Sequence, residues 1–387
     1  MPEETSPAAL ALRTGAGWVP LGFVRDGGTV FLIARERAAA WPIGVLRSGV
    51  AELRLPTGTV QGRARLVTDR TEREAILDQF RAAYGPERYA RWYDRPSRVL
   101  RVDLAEGGTS ATADASYSTW LEAEFDNIAS EYDHHILGNR MNRLLRDRSI
   151  ALLTEVFAGR QLLLDVGCGS GLETMAMLRR GHEIVAVDVS ARMLDVVREK
   201  ARAEGCSERV RTAKLRARDL AKLPAELGLE KVDGAYSTYG ALNCEPTLDA
   251  ALGGFAELLP AGGSLVVGIY NRWCLFELLG YGLTLQTARA LGRRKNPVLV
   301  GSSRFCIDVY AYTVGDVDRA AARWFERSGL EGVPVILPPS DLTGYSERFA
   351  AHFERLATID HHIGRWPGWN RLGDHFLATY RRSATGS

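Results

Sequence analysis

Apolar and polar positions follow two different rhythms along this chain. Residues 18–23, 29–34, 45–55 and 58–68 carry β-branched and alternating apolar side chains between glycine-containing turns, which predicts strands. The turn Asp26-Gly27-Gly28 predicts a hairpin between the first two. Residues 72–84 switch to a helical period, with Ile76, Leu77 and Phe80 on one face. Residues 99–104 predict a last short strand. The next stretch, AEGGTSATADASYS at 105–118, is small and polar and predicts a linker. The expected division is therefore a mainly-β domain at 1–105, a linker at 106–118 and a second domain at 119–387.

Beyond Trp120 strand-like and helix-like blocks alternate. Residues 162–166, 183–188, 210–217, 232–237 and 263–270 predict strands; 173–180, 191–204 and 248–258 predict helices. Such alternation implies βαβ units, hence an α/β fold with a parallel, doubly wound, Rossmann-like sheet. After the last strand, residues 274–291 are largely apolar but interrupted by Glu277, Gln286 and Arg289. No apolar run reaches the roughly 18 residues of a membrane span, so this segment reads as a helix packed on the domain or as a cap over a pocket at 273–300.

The segment LLLDVGCGSGLE, 162–173, runs from an apolar strand into Gly167, Gly169 and Gly171, with a helix behind them. Glycines at a strand-to-helix turn let a ligand approach the backbone closely. Seventeen residues after Gly171, the next strand ends in Asp188, placed to accept hydrogen bonds from ribose hydroxyls. A phosphate loop would continue Gly-Lys-Ser/Thr, and this one does not. A dinucleotide site favours glycine at the third fingerprint position, which here is Leu172. Asp165 lies just upstream, and an acid there suits a cationic ligand better than a pyrophosphate. A tight glycine turn without any ligand is the competing structural reading.

With these motifs in place, residues from about 120 to 270 resemble the class I S-adenosylmethionine-dependent methyltransferases. LDVGCGSG is similar to that family's first motif and AVDVS to its acidic second strand. VDGAYSTYGALN, 232–243, resembles the fourth-strand motif, and LLPAGGSLVVGIYN, 258–271, the turn and strand that follow. The resemblance implies S-adenosylmethionine as cofactor. It implies contacts from Asp165, Gly167, Gly169, Gly171, Asp188, Val189 and Met193, from Asp219 and Leu220 in ARDL, and from Ser237 and Tyr239. FDNIASEYD, 125–133, is like a helix that such enzymes fold over the cofactor, which would bring Tyr132 near its methionine end; a core tyrosine is the alternative.

Methyl transfer is an in-line displacement, so a base is needed only when the acceptor must lose a proton. His134 and His135 are the candidate bases. The alternative for both is a surface pair. Asn271 and Arg272 follow the fifth strand at its carboxyl edge, where open α/β sheets place ligands, and are the candidate substrate residues. Asp360, His361, His362, Asp374 and His375 form a polar cluster whose spacing matches no metal signature, and no metal is expected. The apolar segment after Asn271 suggests a small lipophilic or aromatic acceptor.

Composition narrows the partners. A net charge of +2 over 387 residues argues against a broad nucleic-acid-binding field. Five cysteines, with no C-x-x-C pair, fit a reducing cytoplasm. The start, with Glu3 and Glu4, has no signal-peptide character, and no stable membrane insertion is expected. Residues 17–104 are more weakly similar to split β-barrel proteins of the deazaflavin-dependent nitroreductase type, chiefly through 62–104. That likeness implies flavin or deazaflavin binding and a homodimer. The chain lacks a Gly-Arg-Lys-Ser-Gly-like phosphate segment, which favours a barrel without the cofactor. Two alternatives stand beside the methyltransferase: a bifunctional protein with an active reductase barrel, and a non-catalytic binding protein with a methyltransferase fold.

Overall fold

The computed structural model describes residues 9–14, 17–34, 41–55, 58–93, 98–104, 113–126, 128–286, 290–294, 297–299, 307–340, 342 and 352–384. The chain forms two compact units, Met1–Glu124 with Leu299–Ile307, and Phe125–Val298 with Asp308–Ser387.

The first unit is a closed barrel of six strands in the order β1-β2-β3-β6-β5-β4. They are β1 (Ala9–Thr14), β2 (Gly17–Asp26), β3 (Thr29–Ala34), β4 (Val50–Leu55), β5 (Gly58–Leu66) and β6 (Arg98–Asp103). Side-chain alternation divides its apolar residues between two cores. Leu12, Val30, Leu32, Leu53, Leu100 and Val102 fill one. Phe31, Ile33 and Val99, on the opposite side of their strands, pack with Phe80, Tyr84 and Tyr93. Those rings come from α2 (Arg70–Tyr84) and α3 (Pro86–Tyr93). Asp69 caps α2 by accepting from the Glu72 amide. One strand expectation is corrected: residues 45–48 belong to a helix, α1 (Trp41–Ser48), which buries Ile43, Val45 and Leu46. Gly49, at φ 66°, turns the chain from that helix into β4. Helix α4 (Ala113–Asp126) starts inside the stretch read as a linker.

The second unit is a seven-stranded sheet in the order β14-β15-β11-β10-β7-β8-β9. Its parallel core holds β7 (Leu162–Val166), β8 (Glu183–Asp188), β9 (Val210–Lys214), β10 (Gly234–Ser237) and β11 (Ser264–Tyr270). Strands β7, β8 and β10 are buried on both faces, as a helix-covered parallel sheet requires. Helices α5 (Tyr132–Gly138) and α6 (Arg140–Val156) precede β7, and α7 (Leu172–Leu178), α8 (Ala191–Ala203), α9 (Leu223–Leu227) and α10 (Asp249–Leu258) connect the strands. The sheet is mixed rather than wholly parallel. After α11 (Leu275–Leu283) and the two-residue strands β12 (Val298–Leu299) and β13 (Asp308–Val309), two strands return antiparallel. These are β14 (Phe325–Val333) and β15 (His375–Arg382), and β15 pairs β11 with His375 opposite Tyr270.

Strand order reverses between β7 and β10. In open α/β sheets a ligand crevice lies outside the carboxyl ends of the strands at such a switch point. The two faces of the sheet are distinct there. Leu164 and Val166 of β7 point into the α10 core, together with Phe376 of β15. Leu163, Tyr236 and Val266 point to the α7 side. Leu377 packs with Leu145 of α6. By strand alternation Asp165, Tyr270 and His375 therefore share the α6–α7 face.

Candidate functional site

The glycine loop is the turn from β7 to α7. Gly167, Gly169 and Gly171 have φ values of 71°, 53° and 80°, in the left-handed region that only glycine enters without cost. A Cβ on Gly167 would stand 2.2 Å from the Cβ of Ala241, so the close approach demands glycine as firmly as the backbone does. The amides of Gly167 and Cys168 both donate to the Val187 carbonyl, which pins the loop to the end of β8.

Asp188, at the tip of β8, is buried; one carboxylate oxygen accepts from the Gly169 amide and the other from the Ser190 amide, both at 2.9 Å. Burial pushes its carboxyl up to about 6, against those backbone hydrogen bonds. Val189 follows half-buried. Met193 is buried in the first turn of α8, whose cap is Ser190, and its amide donates to the Ser190 hydroxyl. Asp165, at the end of β7, accepts from the Thr174 hydroxyl at 2.6 Å. Burial pushes its carboxyl up to about 7; the Thr174 hydrogen bond opposes this and the Glu173 charge adds to it. Ser237 ends β10 fully buried, and among the described residues its hydroxyl has no hydrogen-bond partner. Asp219 is half-buried in the turn after β9 and pairs with Lys222 at 2.7 Å. Leu220 is buried in the sheet core.

The segment 125–133 lies over these strand ends, held by two carboxylates. Asp126 accepts from the Ser190 hydroxyl and the Arg192 amide. Asp133 accepts from the Ser170 hydroxyl and from the Lys200 ammonium. Tyr132 is thereby set over the glycine loop, 3.6 Å from where a Cβ of Gly169 would be. His134 is exposed on α5, and the His135 side chain lies outside the described residues.

Three polar residues of α6 face inward from positions 142, 146 and 149, the i, i+4, i+7 spacing of one helix face. Arg146 forms a buried ion pair with Glu173 at the start of α7, and Ser149 also donates to Glu173. The Arg146 guanidinium lies 3.9 Å from the ring centre of Tyr239 and 3.5 Å from the Tyr132 hydroxyl. Tyr239 donates to Asn142 and is one of two described non-glycine residues at positive φ, at 57°. These residues connect the glycine loop to the part of the crevice that holds His375, and apart from Tyr132 and Tyr239 nothing in the motifs named them as site residues. The inward polar spacing of α6 was the available signal.

Beyond Tyr239 comes His375, whose ring stacks on that of Tyr239 at 5.9 Å and 14° and meets the edge of Tyr270 at 5.4 Å. Asp374 accepts from His375 Nδ1 at 3.0 Å, and its other oxygen binds Arg293 at 2.6 Å. Burial opposes the Asp374 charge, yet Arg293 and His375 hold its carboxyl down at about 2. Cys274, Glu277 and Asp374 converge here, with the Arg293 guanidinium bonded to both carboxylates. The C-terminal polar cluster thus divides. Asp360 accepts from the amides of Val335, Ile336 and Leu337, and His361 pairs with Glu331. Asn271 is buried, and its amide donates to the carbonyls of Trp273, Arg371 and Gly373. Arg272 pairs with Asp316 at 3.1 Å and donates to the Ala311 carbonyl. In α11, Leu279 is half exposed, and Leu283 and the following Leu285 are almost wholly exposed.

A glycine loop at a Rossmann-like switch point, an acid at the second strand tip and a tyrosine-bearing segment above them define a nucleotide-cofactor fold of the methyltransferase class. Residues 163–263 match the family model described as a methyltransferase domain. This stretch is similar to class I S-adenosylmethionine-dependent methyltransferase domains. The chain is 31% identical over 160 residues to a demethylmenaquinone methyltransferase of Bacteroides fragilis, covering 40% of this chain and 61% of that protein. It is 30% identical over 107 residues to the tRNA 5-carboxymethoxyuridine methyltransferase of Escherichia coli, covering 26% of this chain and 40% of that protein. The chain thus spans less than two thirds of the length of either relative. It is also similar to the solved structure of a methyltransferase from Streptomyces caelestis, at 19% identity and a TM-score of 0.43, covering 67% of this chain and 98% of that one.

Proposed function

We propose that this protein is an enzyme that transfers the methyl group of S-adenosylmethionine to a small lipophilic or aromatic acceptor. The observation that carries the reading is the cradle itself. Three left-handed glycines face a buried acid, and at the end of the neighbouring strand β10 the buried Ser237 hydroxyl has no hydrogen-bond partner among the described residues. Buried polar groups rarely stay unpaired, so an unpaired one at a crevice suits a bound polar ligand. The residues fit a nucleoside cofactor that carries cations instead of phosphates. Gly167 and Gly169 would take the close approach of its chain, Asp188 its ribose hydroxyls and Asp165 its amino group. Val189, Met193, Asp219 and Leu220 would surround the adenine, and Tyr132, Ser237 and Tyr239 the methionine end.

When bound, the cofactor supplies a methyl group on a sulfonium, an electrophile that needs no activation. The protein's part is to position the acceptor and to exclude water. Asp126 and Asp133 hold the covering segment down over the loop, and Arg146, fixed by Glu173, orients Tyr132 and Tyr239. The exposed leucines of α11 support an apolar acceptor and a cap over it. Labelled-methyl transfer from S-adenosylmethionine into a fractionated cell extract tests the proposal. Label in a small organic-soluble product supports it; a protein that binds the cofactor and labels nothing would favour the non-catalytic alternative.

A further inference from the structure

We propose that His375, oriented by Asp374, is the base that takes the proton from a phenolic or enolic O–H acceptor lying against Tyr239 and Tyr270. The inference rests on the methyl-transfer reading and names the acceptor class for that same site.

The geometry is that of a base with an orienting carboxylate. Asp374 is bonded to Arg293, so it is ionised and can only accept; His375 Nδ1 therefore carries a hydrogen. The neutral ring then has its lone pair on Nε2, the arrangement a general base requires. Among the described residues Nε2 has no hydrogen-bond partner. Asp374 is itself fixed, because Arg293 also binds both oxygens of Glu277 and donates to the Asp374 carbonyl. Such an anchored carboxylate stabilises the imidazolium that forms when the proton arrives.

Location selects the role. His375 starts β15 beside Tyr270, the last residue of β11, on the face that also bears Asp165. The Tyr239 ring separates it from Arg146, which touches Tyr132 above the glycine loop. The charged and titratable groups around it are Asp374 on its own strand end, Tyr239 after β10, Tyr270 of β11, Arg293 behind Asp374 and above the Tyr270 ring, and Arg146 beyond Tyr239. Two aromatic rings beside a histidine fit a flat aromatic or enolic acceptor, and an imidazole is a competent base for an acidic O–H of that kind.

The step balances. The acceptor oxygen bonds to the methyl carbon, the carbon–sulfur bond breaks, and its electron pair neutralises the sulfonium. The acceptor proton goes to His375 Nε2 and from there to water.

Proton transfer can be read without any methyl donor. The full chain is titrated with 4-nitrophenol, whose phenolate absorbs apart from the phenol, at a pH just below the free phenol's own ionisation. Wild type is expected to bind it saturably and to develop the phenolate band. His375→Gln should show that band reduced about tenfold or more, while still binding S-adenosylhomocysteine as wild type does. A wild-type pH series needs no variant: the bound phenol should ionise at lower pH than the free phenol, because the imidazolium beside it stabilises the phenolate. No saturable binding, an equal band in His375→Gln, or a bound phenol that follows its own free titration would overturn the proposal. A phenolate band in a chain that binds no S-adenosylhomocysteine would instead sink methyl transfer and leave the dyad standing.

Discussion

Asp165 should make this protein less stable in order to hold a cation, and Asp165→Asn separates the two effects. The change is isosteric and leaves an amide oxygen to accept the Thr174 hydroxyl. In the folded protein without ligand the carboxyl titrates at about 7, against an ordinary 3.8. A folded-state value above the unfolded one means that the folded state binds the proton more tightly. Stability is then fully present below about pH 4 and is lost as pH rises toward 7. Three pKa units at 1.36 kcal/mol each put the loss at about 4 kcal/mol above pH 7. The asparagine variant escapes it. Thermal unfolding from pH 4 to pH 8 should show the variant close to wild type in acid and more stable at pH 8. The gain should be on the order of 8–16 °C for a unit of this size. Binding of S-adenosylmethionine at pH 8 should weaken in the same variant, since it lacks the carboxylate proposed to hold the amino group. A variant that is less stable than wild type at pH 8, or whose unfolding has the same pH dependence, would refute the reasoning.

Other substitutions probe other parts of the site. Gly167→Ala places a methyl group 2.2 Å from Ala241 on a backbone at φ 71° and should cost about 2–4 kcal/mol in chemical denaturation, with cofactor binding lost alongside. Equal stability would mean that the loop relaxes freely. Arg146→Met leaves Glu173 buried without its cation and should destabilise by about 3–5 kcal/mol, read by urea unfolding at neutral pH; a neutral result would show that the pair is dispensable. Asp133→Asn loosens the segment over the glycine loop, so S-adenosylhomocysteine should dissociate faster in stopped-flow experiments while the unfolding midpoint barely moves. An unchanged dissociation rate would remove the latch from the account.

Legibility in the sequence followed the range of the interactions involved. The glycine loop and Asp188 were readable because their roles come from local backbone geometry, namely left-handed turns and a strand tip. The parallel core was readable because doubly buried strands are continuous apolar runs. β14 and β15 were not, since an antiparallel edge pair carries polar positions on one side. Phe325–Val333 reads FERSGLEGV, with no apolar alternation to mark it. Missing β15 concealed the meaning of His375. In the sequence it stood with His361 and His362, but one sheet register sets it beside Tyr270 while His361 turns to Glu331. Residues 45–48 read as strand because Val45 and Leu46 are apolar, yet burial against the barrel favoured one more helical turn. Arg146 and Glu173, 27 residues apart, meet only once α6 packs on α7; the inward polar spacing of α6 marks Arg146 but not its partner.

In the proposed function the crevice at residues 165–188 holds S-adenosylmethionine through Asp188. Isothermal titration of the full chain with S-adenosylhomocysteine, beside Asp188→Ala, tests it most directly. The expected result is saturable binding at one site per chain, weakened in the variant by about 1–3 kcal/mol because the ribose hydroxyls lose their buried acceptor. Absence of binding to wild type, or equal affinity in the two proteins, would contradict the claim.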